Sequence, residues 1–235
     1  MELSDFPSLT EAMAESRLVH GVLSAFALSL KQKDAWQRAC TDVSAHKPEF
    51  HQHPLVPSIE RGVQAAYQLR TSSAAIGHFV DVVVPLALCD IGKARAFVAG
   101  EPNYRLSEIL SAQTVCSTIA GEGHDPDMLL LILAHKLSYQ AKPETIIAWS
   151  HKPRRKTAAR QLRVNLNLLR PSRDTDLQWL MRLLAVFACR AVARGWTEAQ
   201  KVERPKEAEL VQTICDQQGL SSFGQLLCQE FILAQ

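Results

Sequence analysis

Apolar positions recur at helical spacing along nearly the whole chain, and no stretch sustains the period-two alternation of a half-buried strand. The one β-like patch, Phe79-Val80-Asp81-Val82-Val83-Val84, lies between Ala-rich sequence and Pro85 and reads as a buried helix segment. Ser8 with Glu11 has the spacing of a capping box. Asp125-Pro126 is an N-cap followed by proline at the first helical position, where its missing N–H costs nothing. The run from Met128 to Leu137 is apolar nearly all round and belongs in the centre of the core. Pro143-Glu144 starts a short helix towards Trp149, and Lys152-Pro153 opens the next. Asp174 is placed to cap a long helix, Leu177 to Arg194, closed by Gly195. Pro205 and Ser221 start the last two, the second ending near Ala234. No repeat of 20 to 50 residues recurs. The pattern predicts an all-α protein, an irregular multi-helix bundle of roughly nine or ten helices.

Composition supports one packed domain spanning residues 1–235. Of the 235 residues 47% are hydrophobic and 21% charged, which suits a globular core and argues against global disorder. The longest uninterrupted apolar run, Met128 to Ala134, falls far short of the roughly 20 residues a bilayer crossing needs. Met1-Glu2-Leu3-Ser4-Asp5 lacks the basic-then-apolar order of a secretion signal, so a cytoplasmic location is expected. The cysteines, Cys40, Cys89, Cys116, Cys189, Cys215 and Cys228, form no C-x-x-C pair and read as buried free thiols.

Charge changes the picture. Net charge is only +2, but residues 151–205 carry thirteen Lys/Arg against four Asp/Glu, while the remainder carries thirteen against twenty. This gives a soft division, with an acidic helical body over 1–150 and a basic helical part over 151–235. The cationic groups are densest from His151 to Arg173, which holds Lys152, Arg154, Arg155, Lys156, Arg160, Arg163, Arg170 and Arg173 with no acidic residue. Taken as one helix from Pro153 to Arg170, this segment sets Arg160, Arg163, Asn167 and Arg170 within about 40° of Lys156. Leu162, Leu166 and Leu169 fall on the other side, with Ala159 beside them. No carboxylate at i,i+4 neutralises the stripe. Arg154, Arg155 and Lys156 crowd the first turn, where the helix dipole favours an anion instead. Trp149 lies just upstream, placed to stack a base, and Arg182, Arg190 and Arg194 of the next helix would extend the surface if they faced the same way.

Other candidates carry less chemistry. His46, His51 and His53 share a loop and have imidazoles for a metal, without a diagnostic acidic or cysteine partner. His78 and Asp81 are i,i+3 neighbours on the expected helix, an acid–base pair or a half-buried hydrogen bond. His20 and His135 sit on apolar helices as core histidines. His124-Asp125 resembles the histidine–aspartate dipeptide of metal-dependent phosphohydrolases, but Asp125 is already accounted for as a cap. The signatures of P-loop nucleotide hydrolysis, dinucleotide binding, serine hydrolysis and zincin chemistry are missing. No catalytic residue, cofactor or metal is implied.

An Ala/Leu/Arg-rich helical body with one basic track looks like the helical subunits of nucleoprotein assemblies, among them RNA-guided effector complexes that track a backbone. The expectation is a non-catalytic nucleic-acid-binding subunit that contacts RNA or DNA phosphates, works with other protein subunits and does not enter a membrane. The alternative is a scaffold or adaptor of a larger machine, such as a secretion or regulatory complex, whose basic face meets an acidic protein. A third is an all-α enzyme gathering His78, Asp81 or the histidine loop. The last helix, with Phe223, Leu226, Leu227, Phe231 and Ile232, must pack on this chain or on a neighbour.

Overall fold

Asp125 and Pro126 do what their spacing predicts. In the computed structural model, which describes residues 1–41, 53–94, 106–118, 123–139, 141–194 and 204–234, Asp125 Oδ1 accepts from Asp127 N at 2.9 Å. All nine residues of the helix so started, Pro126–Ala134, are buried. The chain arrives there through α1 (Pro7–Glu15), α2 (Arg17–Lys31), α3 (Trp36–Thr41), α4 (Leu55–Ala75), α5 (Val83–Leu88) and α6 (Ser107–Thr118). The central helix is α7, succeeded by α8 (Pro143–Ser150), α9 (Arg154–Leu162), α10 (Asp176–Arg194), α11 (Arg204–Gln217) and α12 (Ser221–Gln225). A π-helical segment, Leu226–Ile232, continues α12. The described residues thus hold twelve α-helices and no strand, an all-α irregular bundle. The number exceeds the roughly nine or ten expected because joints such as Ser16 split one helical run in two. Its hydroxyl accepts Val19 N at 3.3 Å and starts α2.

Long α4 and α10 pack along each other, with α5 and α1 against α4 and α9 and α6 against α7. The final segment closes on α11 and α10, so Phe223, Leu227 and Ile232 are buried within this chain's own body. Among the described residues no helix is long and apolar enough to cross a membrane. All six cysteines are free, and five of them are buried.

Several local starts differ from the sequence pattern. The α1 start is capped from a distance: both Glu60 oxygens of α4 accept from Ser8 N and Leu9 N at 2.8 Å, in place of a Ser8–Glu11 box. The long α10 is opened by Thr175 and Gln178, which bond each other's backbone N–H reciprocally. Asp174 is freed from capping and binds Arg182 at 2.6 Å. Gly195 lies outside the described residues. Residues 78–82 are irregular rather than helical, with Phe79 70% exposed, and helix begins only at Val83, whose N–H is taken by Asp81.

The turn Ile91–Lys93 backs directly into α6 at Gly92. A Cβ there would lie 2.6 Å from the Ser111 backbone nitrogen and closer still to the Ser107 carbonyl oxygen. Both atoms belong to the α6 backbone, which cannot yield, so Gly92→Ala is expected to cost about 1–3 kcal/mol in urea unfolding.

Candidate nucleic-acid interface

The basic segment is not one helix. α9 stops at Leu162, and Arg163 takes the left-handed conformation with φ 57°, its N–H bonded to the Ala159 carbonyl. That conformation costs a non-glycine residue about 1–2 kcal/mol. Contacts further along the chain offset the cost. Asn165 caps a 3-10 turn, Leu166–Leu168, and Leu169 is then buried. Its neighbours pair with His124, which donates to the Leu168 carbonyl and accepts from Arg170 N, both at 2.8 Å. Residues 163–175 therefore form a strap across the start of α7. The expected stripe from Lys156 to Arg170 survives only as the Lys156–Arg160 pair, because the chain leaves the helix before Arg163.

Asp127 holds the strap's far end. This carboxylate is buried at the second position of α7. Its Oδ1 accepts from Arg154 Nε at 2.7 Å and from the Ser172 hydroxyl at 2.5 Å. Its Oδ2 accepts from Arg173 N at 2.7 Å and Asp174 N at 3.1 Å. Arg154 directs its remaining donors to the Ser150 carbonyl, the Asp174 carbonyl and Asp176. It is 7% exposed, so it positions the strap from inside. Arg155 also turns inward, donating to the Leu166 carbonyl at 3.0 Å. Lys152 stacks its ammonium 3.7 Å from the centre of the Trp149 ring, and partial burial lowers its pKa.

Lys156, Arg160, Arg163, Arg170 and Arg173 are the exposed members. The acidic residues beyond the segment are already engaged: Asp174 by Arg182, Asp176 by Arg154 and by His151, which holds its carboxyl below the usual range. Among the described residues Lys156, Arg160, Arg163 and Arg173 enter no ion pair. Leu166, Leu168 and Leu177 emerge beside them, 38–49% exposed. The expected extension along α10 is not there. Arg182 binds Asp174, Arg190 is buried against Asp90, and Arg194 binds Glu207.

Other sequence candidates separate. His78 packs its ring on Phe223, while Asp81 engages Arg70 and Val83 N, so the two form no acid–base pair. His46 and His51 lie outside the described residues, and His53 is half-buried, with burial lowering its pKa. His20 is exposed on α2 rather than in the core.

Sequence reasoning missed a second polar centre. Cys89, Asp90, Lys93, His135 and Arg190 meet in the core, all buried. Asp90 bridges Lys93 Nζ at 2.8 Å and Arg190 Nη1 at 2.7 Å, and the same guanidinium nitrogen is 3.3 Å from Cys89 Sγ. Burial pushes the Lys93 pKa down to about 8 against the pull of Asp90, and the Cys89 thiol up to about 12. Burial, reinforced by Arg190, pushes His135 down to about 3. The available signal was Asp90 and Lys93 at i,i+3 directly after an apolar helix.

No known protein family, curated protein or solved structure matches the chain.

Proposed function

We propose that this protein is a non-catalytic subunit of a nucleoprotein complex that binds nucleic-acid phosphates through Lys156, Arg160, Arg163, Arg170 and Arg173. The observation that carries the proposal is a run of exposed cations along residues 156–173 whose nearest acidic residues in sequence, Asp174 and Asp176, are already paired with Arg182 and Arg154. Lys156, Arg160, Arg163 and Arg173 enter no ion pair among the described residues; like charges near one another repel, and a polyanion relieves that repulsion. The strap is held by Asp127 and by burial of Leu169, so its cations are presented on ordered backbone. Arg154 and Arg155 shape the surface, and Lys152 flanks it on Trp149.

Binding to labelled RNA and DNA across a salt series tests this. Five contacts predict a slope of log K against log salt of about −3.5 on single strands and about −4.5 on duplex. Arg160→Glu with Arg163→Glu is expected to abolish binding while helical circular dichroism is retained. Binding at the parent affinity in that variant would sink the proposal.

One observation favours a second reading. Leu166, Leu168 and Leu177 have no use in phosphate contact, yet stand exposed among the arginines. An acidic amphipathic protein segment would use both chemistries, as expected of a scaffold or adaptor. Loss of that partner on Leu168→Ser, with no nucleic-acid binding at low salt, would favour it over the first.

A further inference from the structure

We infer that Cys89, Asp90 and His135 form a buried site for one divalent transition-metal ion, zinc by the chemistry of its donors. The Cys89 sulfur, a carboxylate oxygen of Asp90 and a ring nitrogen of His135 lie within 4.8 Å of one another. A thiolate, an imidazole and a carboxylate together suit zinc, with one exogenous donor completing a tetrahedron. Calcium and magnesium prefer oxygen ligands alone.

The orientation of His135 is the second observation. Its Nδ1 lies 2.5 Å from the Ile132 carbonyl oxygen, which makes Nδ1 the protonated nitrogen and turns the Nε2 lone pair inward. That lone pair faces Asp90 Oδ1 at 3.7 Å. That separation of 3.7 Å is close to the edge of a tetrahedron with metal bonds of about 2.0–2.3 Å. A backbone carbonyl fixing the tautomer is the usual outer-shell arrangement for a metal-bound histidine.

Lys93 and Arg190 are themselves cations beside this site, but they take different positions in it. Arg190 Nη1 lies on the outer oxygen of Asp90, Oδ2, and beside Cys89 Sγ, where an outer-shell donor steadies carboxylate and thiolate together. Lys93 Nζ sits on Oδ1, the oxygen that faces His135. Its ammonium is a tethered cation in the metal's own seat. On binding, the metal takes that place on Oδ1 in exchange for two protons: the displaced Lys93 ammonium gives one to solvent and stays as a neutral amine, and the Cys89 S–H bond breaks, its proton leaving to solvent while the sulfur pair forms the bond to the metal. No oxidation is involved. The site is enclosed, so the ion enters as the chain folds.

The test is to refold the full chain from denaturant with cobalt(II) as the probe, after chelator treatment. The expected result is one equivalent of cobalt retained, with a thiolate-to-cobalt charge-transfer band that Cys89→Ser removes. Lys93→Met, which leaves all three donors intact, is expected to bind about tenfold more tightly because the competing cation is gone. Failure of the parent chain to retain cobalt overturns the site, as does a charge-transfer band unchanged in Cys89→Ser. Should Cys89→Ser not fold, the Lys93→Met arm decides, and an affinity equal to the parent's overturns the proposal.

Discussion

Asp127→Ala is expected to lose about 3–5 kcal/mol of unfolding free energy, among the largest single-residue effects in the protein. The carboxylate is 1% exposed and accepts four hydrogen bonds, from Arg154, Ser172, Arg173 N and Asp174 N. Its removal leaves the Arg154 guanidinium buried with its principal counter-charge gone and two backbone N–H groups without acceptors. Asp127→Asn should cost nearly as much, because the amide turns an N–H₂ towards donors. Replacing both charges, Asp127→Leu with Arg154→Met, should recover part of the loss, since a buried pair exchanged for apolar side chains is often close to neutral. Recovery stays incomplete because Arg173 N and Asp174 N still lack an acceptor. Urea unfolding of the parent and these variants measures the losses, and one below about 1 kcal/mol for Asp127→Ala would show that this carboxylate does not hold the fold.

The same substitution separates positioning from charge in nucleic-acid binding. Asp127→Ala removes no cation from the surface, yet Asp127 fixes the backbone that carries Arg173 and, through Arg154, the strap between α9 and α10. A milder variant that folds, Ser172→Ala, loosens one of its bonds. On the proposed function it weakens affinity without changing the salt slope, because the number of phosphates contacted stays the same. Arg173→Ala lowers both.

The range of the interactions that set each feature decides whether it was legible in the sequence. Asp125-Pro126 marked the α7 start because cap and first turn are adjacent in the chain. The all-round apolar run placed α7 in the core for the same reason. The end of α9 was not legible: no glycine or proline stands between Pro153 and Pro171, and leucines continue at helical spacing through Leu169. What breaks the helix is tertiary, the burial of Leu169 beside His124 and the pull of Asp127 on residues 172–174. Glu60 capping α1 from 52 residues away is another case. The exposed cations of the candidate surface were visible as residue types. The period of α9 itself sets Arg154 about 120° from Arg160, inside against outside; what the sequence did not show is that Arg163 and Arg170 leave that helix. Asp90 and Arg190, a hundred residues apart, carry no local sign of their pairing.

The buried position of His135 predicts a distinct acid limb in stability. Its pKa falls from 6.5 to about 3 on folding, chiefly through burial and secondarily through Arg190. Between those values the unfolded chain holds a proton on this ring that the folded chain does not. Stability is therefore full above pH 6.5 and declines as pH falls towards 3, by about 1.4 kcal/mol per pH unit from this group. His124 and His53, also lowered by burial, add in the same direction. Lys93 acts in a separate window: with its pKa lowered from 10.5 to about 8, stability gains as pH rises between those values. In the chelator-treated chain, where no metal occupies Nε2, the His135 contribution is isolated by comparison with His135→Gln, which does not titrate. Across roughly pH 4.5 to 6.5 most carboxylates hold their charge, so the parent should lose about 2–3 kcal/mol relative to its value at the upper end, and His135→Gln distinctly less. Parallel profiles for the two proteins would mean that the folded chain takes up the proton at its ordinary pKa, so that the ring is solvated and the polar centre around Asp90 is open to water.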